Sequence, residues 1–451
     1  MNRPYHHSKH LGLISATLLA LVAHADWPQF RGPGAGGVDS SHPLPVSWNV
    51  DTGSNVLWSA SIPGLAHSAP IAKDGRIYVA TASAVGAKES DLKVGLYGDI
   101  EPVQEKTPYQ WRLLALEQGS GRVLWDSVGY EGVPRVKRHP KSSHCNSTPA
   151  TDGKRIVAIL GSEGLFCFDT EGKPVWKTDL GPMDSGYYAV PSAQWGFASS
   201  PVIFENRVIV LCDVQTNSFL ASYDLASGKQ IWRTARNDVP TWGTPAVVPT
   251  PAGPSIVVNG WHHSGGYDFN TGKETWRLEG GGDIPVPTPL YHDGLIYLTS
   301  AHGQLRPMRA IRPDATGNVT APQPSGTNAA IAWVHPRQGN YMQTPVVVSN
   351  RVYSCADWGV VTCFDAKSGA IAFSERLGNG AEGFTASPVS DGTHIFFPSE
   401  TGRVFVVAAG TPQLTVVATN TLGETSMATP AIADGILLFH TRTKLLALKQ
   451  K

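Results

Sequence analysis

A serine, threonine or alanine followed by proline stands eight times ahead of a short apolar stretch, at Pro70, Pro149, Pro201, Pro245, Pro289, Pro345, Pro388 and Pro430. The spacings are 79, 52, 44, 44, 56, 43 and 42 residues, so the base period is that of a four-stranded propeller blade, roughly 40–45 residues. Proline has no N–H to give to a strand ladder and is tolerated at the first residue of a strand or on an edge. Each proline therefore marks the start of an innermost strand.

The rest of the unit is written in strand and turn residues. Ser387-Pro388-Val389-Ser390 is followed by Asp391-Gly392 and then by Thr393-His394-Ile395-Phe396-Phe397, a hairpin signal that Asp74-Gly75, Asp152-Gly153, Asp293-Gly294 and Asp434-Gly435 repeat. Its second half reads Leu165-Phe166-Cys167-Phe168-Asp169, a turn at Gly172, then Val175-Trp176; Leu220 to Asp224, Ser227-Gly228 and Ile231-Trp232 follow the same order. A closing tryptophan recurs at Trp125, Trp176, Trp232, Trp276 and Trp333, with Phe373 in the sixth unit and no equivalent in the seventh. Such rings fill the wedge between adjacent twisted sheets. The eighth unit stops after Leu445-Leu446-Ala447-Leu448, and Asn55-Val56-Leu57-Trp58 supplies its missing fourth strand. Pairing the first strand with the last blade removes the open edges of an unclosed array. The expected fold is all-β: an eight-bladed propeller of four-stranded antiparallel blades over residues 55–451, closed by its N-terminal strand.

Residues 1–25 carry Arg3 and Lys9, an apolar run from Leu11 to Val22, and Ala23-His24-Ala25 ahead of Asp26. That run is too short for a membrane span and its small-x-small ending reads as a cleaved signal peptide. Export to the periplasm or beyond is expected, with residues 26–54 as an N-terminal extension and no cysteine at the cleavage point to carry a lipid. No second apolar stretch approaches the length of a transmembrane helix. Basic and acidic residues balance at 36 each and only 16% of residues are charged, which argues against general attraction to nucleic acid. Five cysteines, at 145, 167, 212, 355 and 363, are too few for a disulfide scaffold. Whether Cys355 and Cys363 pair stays open.

The repeated strings, such as Phe166-Cys167-Phe168-Asp169 through Trp176 and Cys363-Phe364-Asp365 with Ser368-Gly369, resemble those of the PQQ-like, quinoprotein-type eight-bladed propellers. The resemblance extends from Trp58 onward. The same repeat is similar to that of the outer-membrane assembly propeller BamB. The opening Asp26-Trp27-Pro28-Gln29-Phe30-Arg31-Gly32-Pro33 is similar to the start of exported propellers of planctomycete-type bacteria. Quinoprotein alcohol dehydrogenases of this fold carry an adjacent cysteine pair and long loops over the cofactor, whereas no two cysteines here are adjacent. The resemblance thus implies a non-catalytic binding or scaffold propeller of the cell envelope, expected to be a monomer that meets an envelope protein or a glycan and needs no cofactor. The alternative is a PQQ-dependent alcohol or sugar dehydrogenase holding PQQ with calcium, for which Glu163, Glu400, Asn146 and Arg442 are the available groups.

In an up-and-down blade the connection into the inner strand and the turn between second and third strands share one face, called the top. Trp125 to Pro149 spans 24 residues and Trp176 to Pro201 spans 25, against 13 for Trp232 to Pro245 and for Trp276 to Pro289. A third insertion, from Ala80 to Gln110, joins them over blades one to three, and long insertions on one face mark a binding face. The stretch from Arg306 to Ala330 leaves blade five from the bottom and reads as a flexible decoration. Residues just ahead of the prolines should rim the channel mouth: His67, His144, Asn146, Trp242, Tyr341, Gln343 and Phe384. The second-to-third strand turns add Glu163, Asp213, His262, His263, His302, Asp357, Trp358 and Glu400. Rings among a few polar groups suit a small ligand or an inserted peptide. No Cys-x-x-Cys or His-Glu-x-x-His metal spacing and no nucleophile elbow occurs, so no catalytic residue is assigned and the metal question is left open. The basic run Arg135 to Lys141 lies beside this face, where it could meet an acidic partner.

Overall fold

Every repeat proline stands immediately before the innermost strand of a blade, from Ile71–Lys73 in blade one to Ala431–Ala433 in blade eight. The computed structural model describes residues 26–87, 92–95 and 101–451; the expected signal peptide lies outside them. Eight sheets carry four antiparallel strands each in meander order, and blade four gains a fifth strand. No helix among the described residues is long and apolar enough to cross a membrane.

The residue before each proline explains why the step is Ser-Pro or Thr-Pro. Its hydroxyl accepts the backbone N–H of the matching residue in the preceding blade: Ala69 to Thr148 at 3.0 Å, Thr148 to Ser200 at 2.9 Å and Ser200 to Thr244 at 3.0 Å. The same link joins Thr288 to Thr344 at 3.0 Å, Thr344 to Ser387 at 3.0 Å and Ser387 to Thr429 at 3.1 Å. These buried N–H groups have no strand partner at the channel, and leaving one unpaired costs about 1–3 kcal/mol. At the closing junction residue 69 is alanine, and His440 bonds the Ser68 carbonyl there at 2.8 Å instead.

A second lock sits at the rim. Trp58, Trp125, Trp176, Trp232 and Trp333 each donate the indole N–H to a carbonyl of the next blade, at 2.8, 2.8, 2.9, 3.1 and 3.0 Å. Each ring lies on that blade's turn glycine: Gly121, Gly172, Gly228, Gly272 and Gly369, where an added Cβ would come within 2.4–2.6 Å of an atom on the facing blade, in most cases the indole. The tryptophan and the glycine of the repeat are thus the two halves of one inter-blade contact. Closure follows the expected scheme, with Val56–Ser61 antiparallel to Lys444–Lys449 and Trp58 docked on blade one.

Trp276 departs from this pattern. The third-to-fourth strand connection of blade five is the insertion before Ala330, so no turn glycine arrives beneath the ring. Instead Gly317–Asn318 pairs in parallel with Trp276 and Arg277, and Ala315, Val319 and Ala330 are buried with Trp276 and Leu278. The segment expected to be a flexible decoration is therefore a packed fifth strand of blade four. All five cysteines are buried and free.

The extension over residues 26–54 closes the channel from below. Trp27 bridges to Ala72 in blade one, and the Pro28 carbonyl accepts from Thr151 in blade two. The turn Pro33–Ala35 rests on the inner strands of blades four and five. Arg31, fully buried, gives hydrogen bonds to the carbonyls of Pro345 and Pro388 in blades six and seven, both at 2.8 Å. Beyond Val38, bridged to Ser390, the chain runs outward to Trp48, whose N–H groups meet Asn420 and Thr421, before becoming the closing strand.

Two glycines test the rim lock. Gly228 (φ 70°) lies against Trp176, whereas Gly75 (φ 75°) has open space where a Cβ would go. Gly228→Ala should cost about 2–4 kcal/mol, because overpacking adds to the backbone strain, and Gly75→Ala about 1 kcal/mol. Urea unfolding of both variants checks this.

Candidate functional site

With the channel stoppered from below, the top face opens into a one-ended funnel. Its throat has a volume of about 160 Å³ and is lined by the pre-proline residues Ser200, Thr244, Thr288, Thr344, Ser387 and Thr429, above which stand Trp242, Ile284, Val286, Met342 and Met427. Phe30 from the extension also lines it. All of these hydroxyls but that of Thr288 accept an inter-blade link, so the throat offers mainly apolar surface. A cleft of about 210 Å³ adjoins it and shares Trp195, Ile284 and Tyr341 with it.

The three insertions build the wall over blades one to three. Val103 bridges Arg138, joining the insertion between Ala80 and Gln110 to that between Trp125 and Pro149. Buried Glu105 binds both Arg138 at 2.9 Å and His144 at 2.8 Å. Burial acts to raise the Glu105 carboxyl; the hydrogen bond from His144 and the charges of His144 and Arg138 outweigh it and hold the pKa down to about 2. Lys141 then reaches over the throat to blade seven, 2.6 Å from Glu400 and 2.8 Å from the Gly95 carbonyl. Glu400 also accepts from Thr385 at 2.5 Å and Gly95 N–H at 2.7 Å. The insertion between Trp176 and Pro201 carries a hairpin, Gly186–Tyr187 with Val190–Gln194, tied to blades four and five through Asp283. That carboxylate accepts from Tyr187 at 3.0 Å and Tyr188 at 3.2 Å and meets His302 at 2.6 Å.

Of the residues expected at the mouth, His67, Asn146, Trp242 and Tyr341 line the throat, and His302, Tyr341, Asp357 and Trp358 line the cleft. The others are spent elsewhere. His144 packs edge-on against Tyr109 and Trp111 beneath the insertion between Ala80 and Gln110. Glu163 is fully buried against Arg135 at 3.1 Å, Gln343 donates its amide to the Phe384 carbonyl, and His262 is exposed on the outer rim, bonded to the Asn237 carbonyl at 2.9 Å. Glu400 lies under Lys141 and is only 1% exposed. Trp242 itself is anchored through its indole N–H to the Gly196 carbonyl at 3.0 Å. Within the basic run, Arg138 and Lys141 are buried against Glu105 and Glu400, while Arg135, exposed, pairs with Glu163 and Asp179. Phe30, Tyr187, Trp195, Asp283 and Arg306 join the site without having been singled out from sequence. Insertion length was the signal for the hairpin residues, since Tyr187, Tyr188 and Trp195 lie in one of the three long top connections.

His67 receives no carboxylate. Burial pushes its pKa down to about 4, against a smaller opposing effect of its 2.9 Å contact with the Lys141 carbonyl. Such a group is neutral in the fold and takes up its proton first in the unfolded chain, so its stabilisation is complete above about pH 6.5 and declines as pH falls towards 4. Wild type should lose up to about 3 kcal/mol across that window, and His67→Gln correspondingly less; urea midpoints at pH 7, 5.5 and 4.5 measure the difference.

The family described as outer membrane protein assembly factor BamB matches residues 167–413 and 317–451. Among solved structures, BamB from Moraxella catarrhalis is similar at 14% identity and a TM-score of 0.53, covering 82% of this chain and 98% of its own. Quinohemoprotein alcohol dehydrogenase from Comamonas testosteroni is similar at 12% identity and a TM-score of 0.58, covering 94% and 80%. A europium-containing methanol dehydrogenase is similar at 13% identity and a TM-score of 0.53, covering 94% and 89%. These likenesses are of fold. Comparison with curated proteins gives no match.

Proposed function

The chain belongs to the family described by the outer-membrane assembly factor BamB, and from that premise we propose that it is a non-catalytic binding propeller of the cell envelope that receives its partner in the funnel on its insertion-bearing face. One observation carries the reading: three separate insertions converge on one face and enclose a funnel closed at its far end, while on the opposite face the extension and the one long connection, between Ile311 and Ile331, pack against the blades, the latter on the outer strand of blade four. A site built from three long connections and walled by apolar and aromatic groups suits recognition. Export through the leader at residues 1–25 and a monomeric state complete the proposal.

The alternative, a PQQ-dependent alcohol or sugar dehydrogenase, draws on the likeness to the quinohemoprotein and methanol dehydrogenases. The residues do not fit it. A planar tricarboxylate held with calcium needs converging cations and oxygen ligands. Of the four groups available for that purpose, only Asn146 lines the throat; Arg442 bonds the Gly64 carbonyl at 2.8 Å, Glu163 is tied to Arg135, and Glu400 is paired with Lys141, the one lysine or arginine lining the throat among the described residues.

Two measurements test the proposal. A photo-crosslinking amino acid at Tyr341, placed in the protein in its native envelope, should capture a specific partner, while the same group at Gly75 on the bottom face captures none; capture from Gly75 alone would reverse the assignment of faces. Purified protein offered PQQ and calcium should reduce no electron-accepting dye with alcohols or aldoses, and turnover would establish the alternative.

A further inference from the structure

The cleft beside the throat differs from it in chemistry. Tyr187, Trp195, Tyr341 and Trp358 wall it, and Arg306 and Asp357 stand among them. Neither Arg306 nor Asp357 takes part in an ion pair with a described residue, in contrast to Glu105, Arg138, Lys141 and Glu400, which are paired with one another beside the throat. Two of these rings are held in place before any ligand arrives. Trp195 stacks on His139 with centroids 4.0 Å apart and planes 5° from parallel, and Tyr187 is fixed by Asp283 and packs edge-on against His302 at 5.7 Å. His302 pays for its position with a left-handed backbone, φ 75°, a conformation that a non-glycine residue holds only when its surroundings impose it.

Fixed aromatic faces bind flat apolar surface, and a carboxylate and a guanidinium that are not bonded to each other offer bidentate acceptance and donation. A ligand that matches both is flat and apolar on one face and ringed with hydroxyls at its edge. Charge narrows the choice further. The Arg306 guanidinium is offset by Asp357 in the cleft and Asp283 just behind it, so the cleft presents no excess positive charge to draw an anionic ligand, and burial already raises the Asp357 carboxyl. We propose that the cleft bounded by Trp195, Tyr341 and Trp358 binds a neutral pyranose ring of a glycan, stacked on the aromatic faces and hydrogen-bonded at its edge by Asp357 and Arg306. This rests on the reading of the funnel as a binding face and names the ligand class for its mouth.

Isothermal titration of the purified protein with cellotetraose, maltotetraose, xylotetraose and tetra-N-acetylchitotetraose tests it. At least one should bind saturably with Kd below about 1 mM, the weak end of specific association. Trp358→Ala and Asp357→Asn should each weaken that binding at least tenfold with unchanged thermal midpoints. Trp261→Ala, outside the cleft, should leave it intact. Failure of all four sugars to bind, or binding that survives both cleft variants, overturns the inference. If no sugar binds while crosslinking from Tyr341 still captures a protein, the glycan assignment alone fails; if crosslinking also fails, the binding-face reading falls with it.

Discussion

The hydrogen bond from one blade's backbone to the next blade's pre-proline hydroxyl is the constraint on which the rest of the structure depends. Proline at the start of each inner strand withdraws one donor from the channel, and the serine or threonine before it supplies an acceptor to the blade behind. Repeated around the axis, this sets the channel radius and turns every connection into the inner strand towards the same face. The tryptophan-on-glycine contacts do the same work at the rim, through a larger apolar area. Together they leave the top connections free to lengthen without disturbing the blades.

The fold was legible because its determinants are local and repeated. Pro70 to Pro430 fall one residue before their strands, and Trp58 closes the ring. The role of the glycines in Ser-Gly and Thr-Gly was not visible, since a turn glycine looks the same whether or not a neighbouring ring rests on it. The site was legible only in outline. Its face followed from insertion lengths, but which side chains look into the funnel depended on pairings between segments far apart in sequence. His144 is drawn inward by Glu105, Glu163 by Arg135, and Glu400 by Lys141 from the opposite side of the ring. A titratable group near a channel mouth is as readily a strut as a ligand, and position alone does not separate the two.

Division of labour follows from these pairings. Salt bridges buried beneath the insertions hold their shape, and removing one partner of such a pair is costly because a charge is left unpaired in a poorly hydrated place. The extension performs the complementary task below, where Arg31 spans to carbonyls of blades six and seven and Phe30 reaches the throat. Burial with no acid beside it lowers the Arg31 pKa to about 9. What remains uncommitted after this accounting is the aromatic cleft and the apolar throat, both on the insertion-bearing face.

The central claim is that blades supply the scaffold and insertions supply recognition. Replacing the hairpin Gly186 to Gln194 by Gly-Gly, which removes Tyr187 and Tyr188 but none of the inter-blade locks, separates the two most directly, with partner capture from the funnel and the thermal midpoint read on the same preparation. A midpoint within a few degrees of wild type together with lost capture is the predicted result. Full capture by the shortened, folded protein would contradict the account.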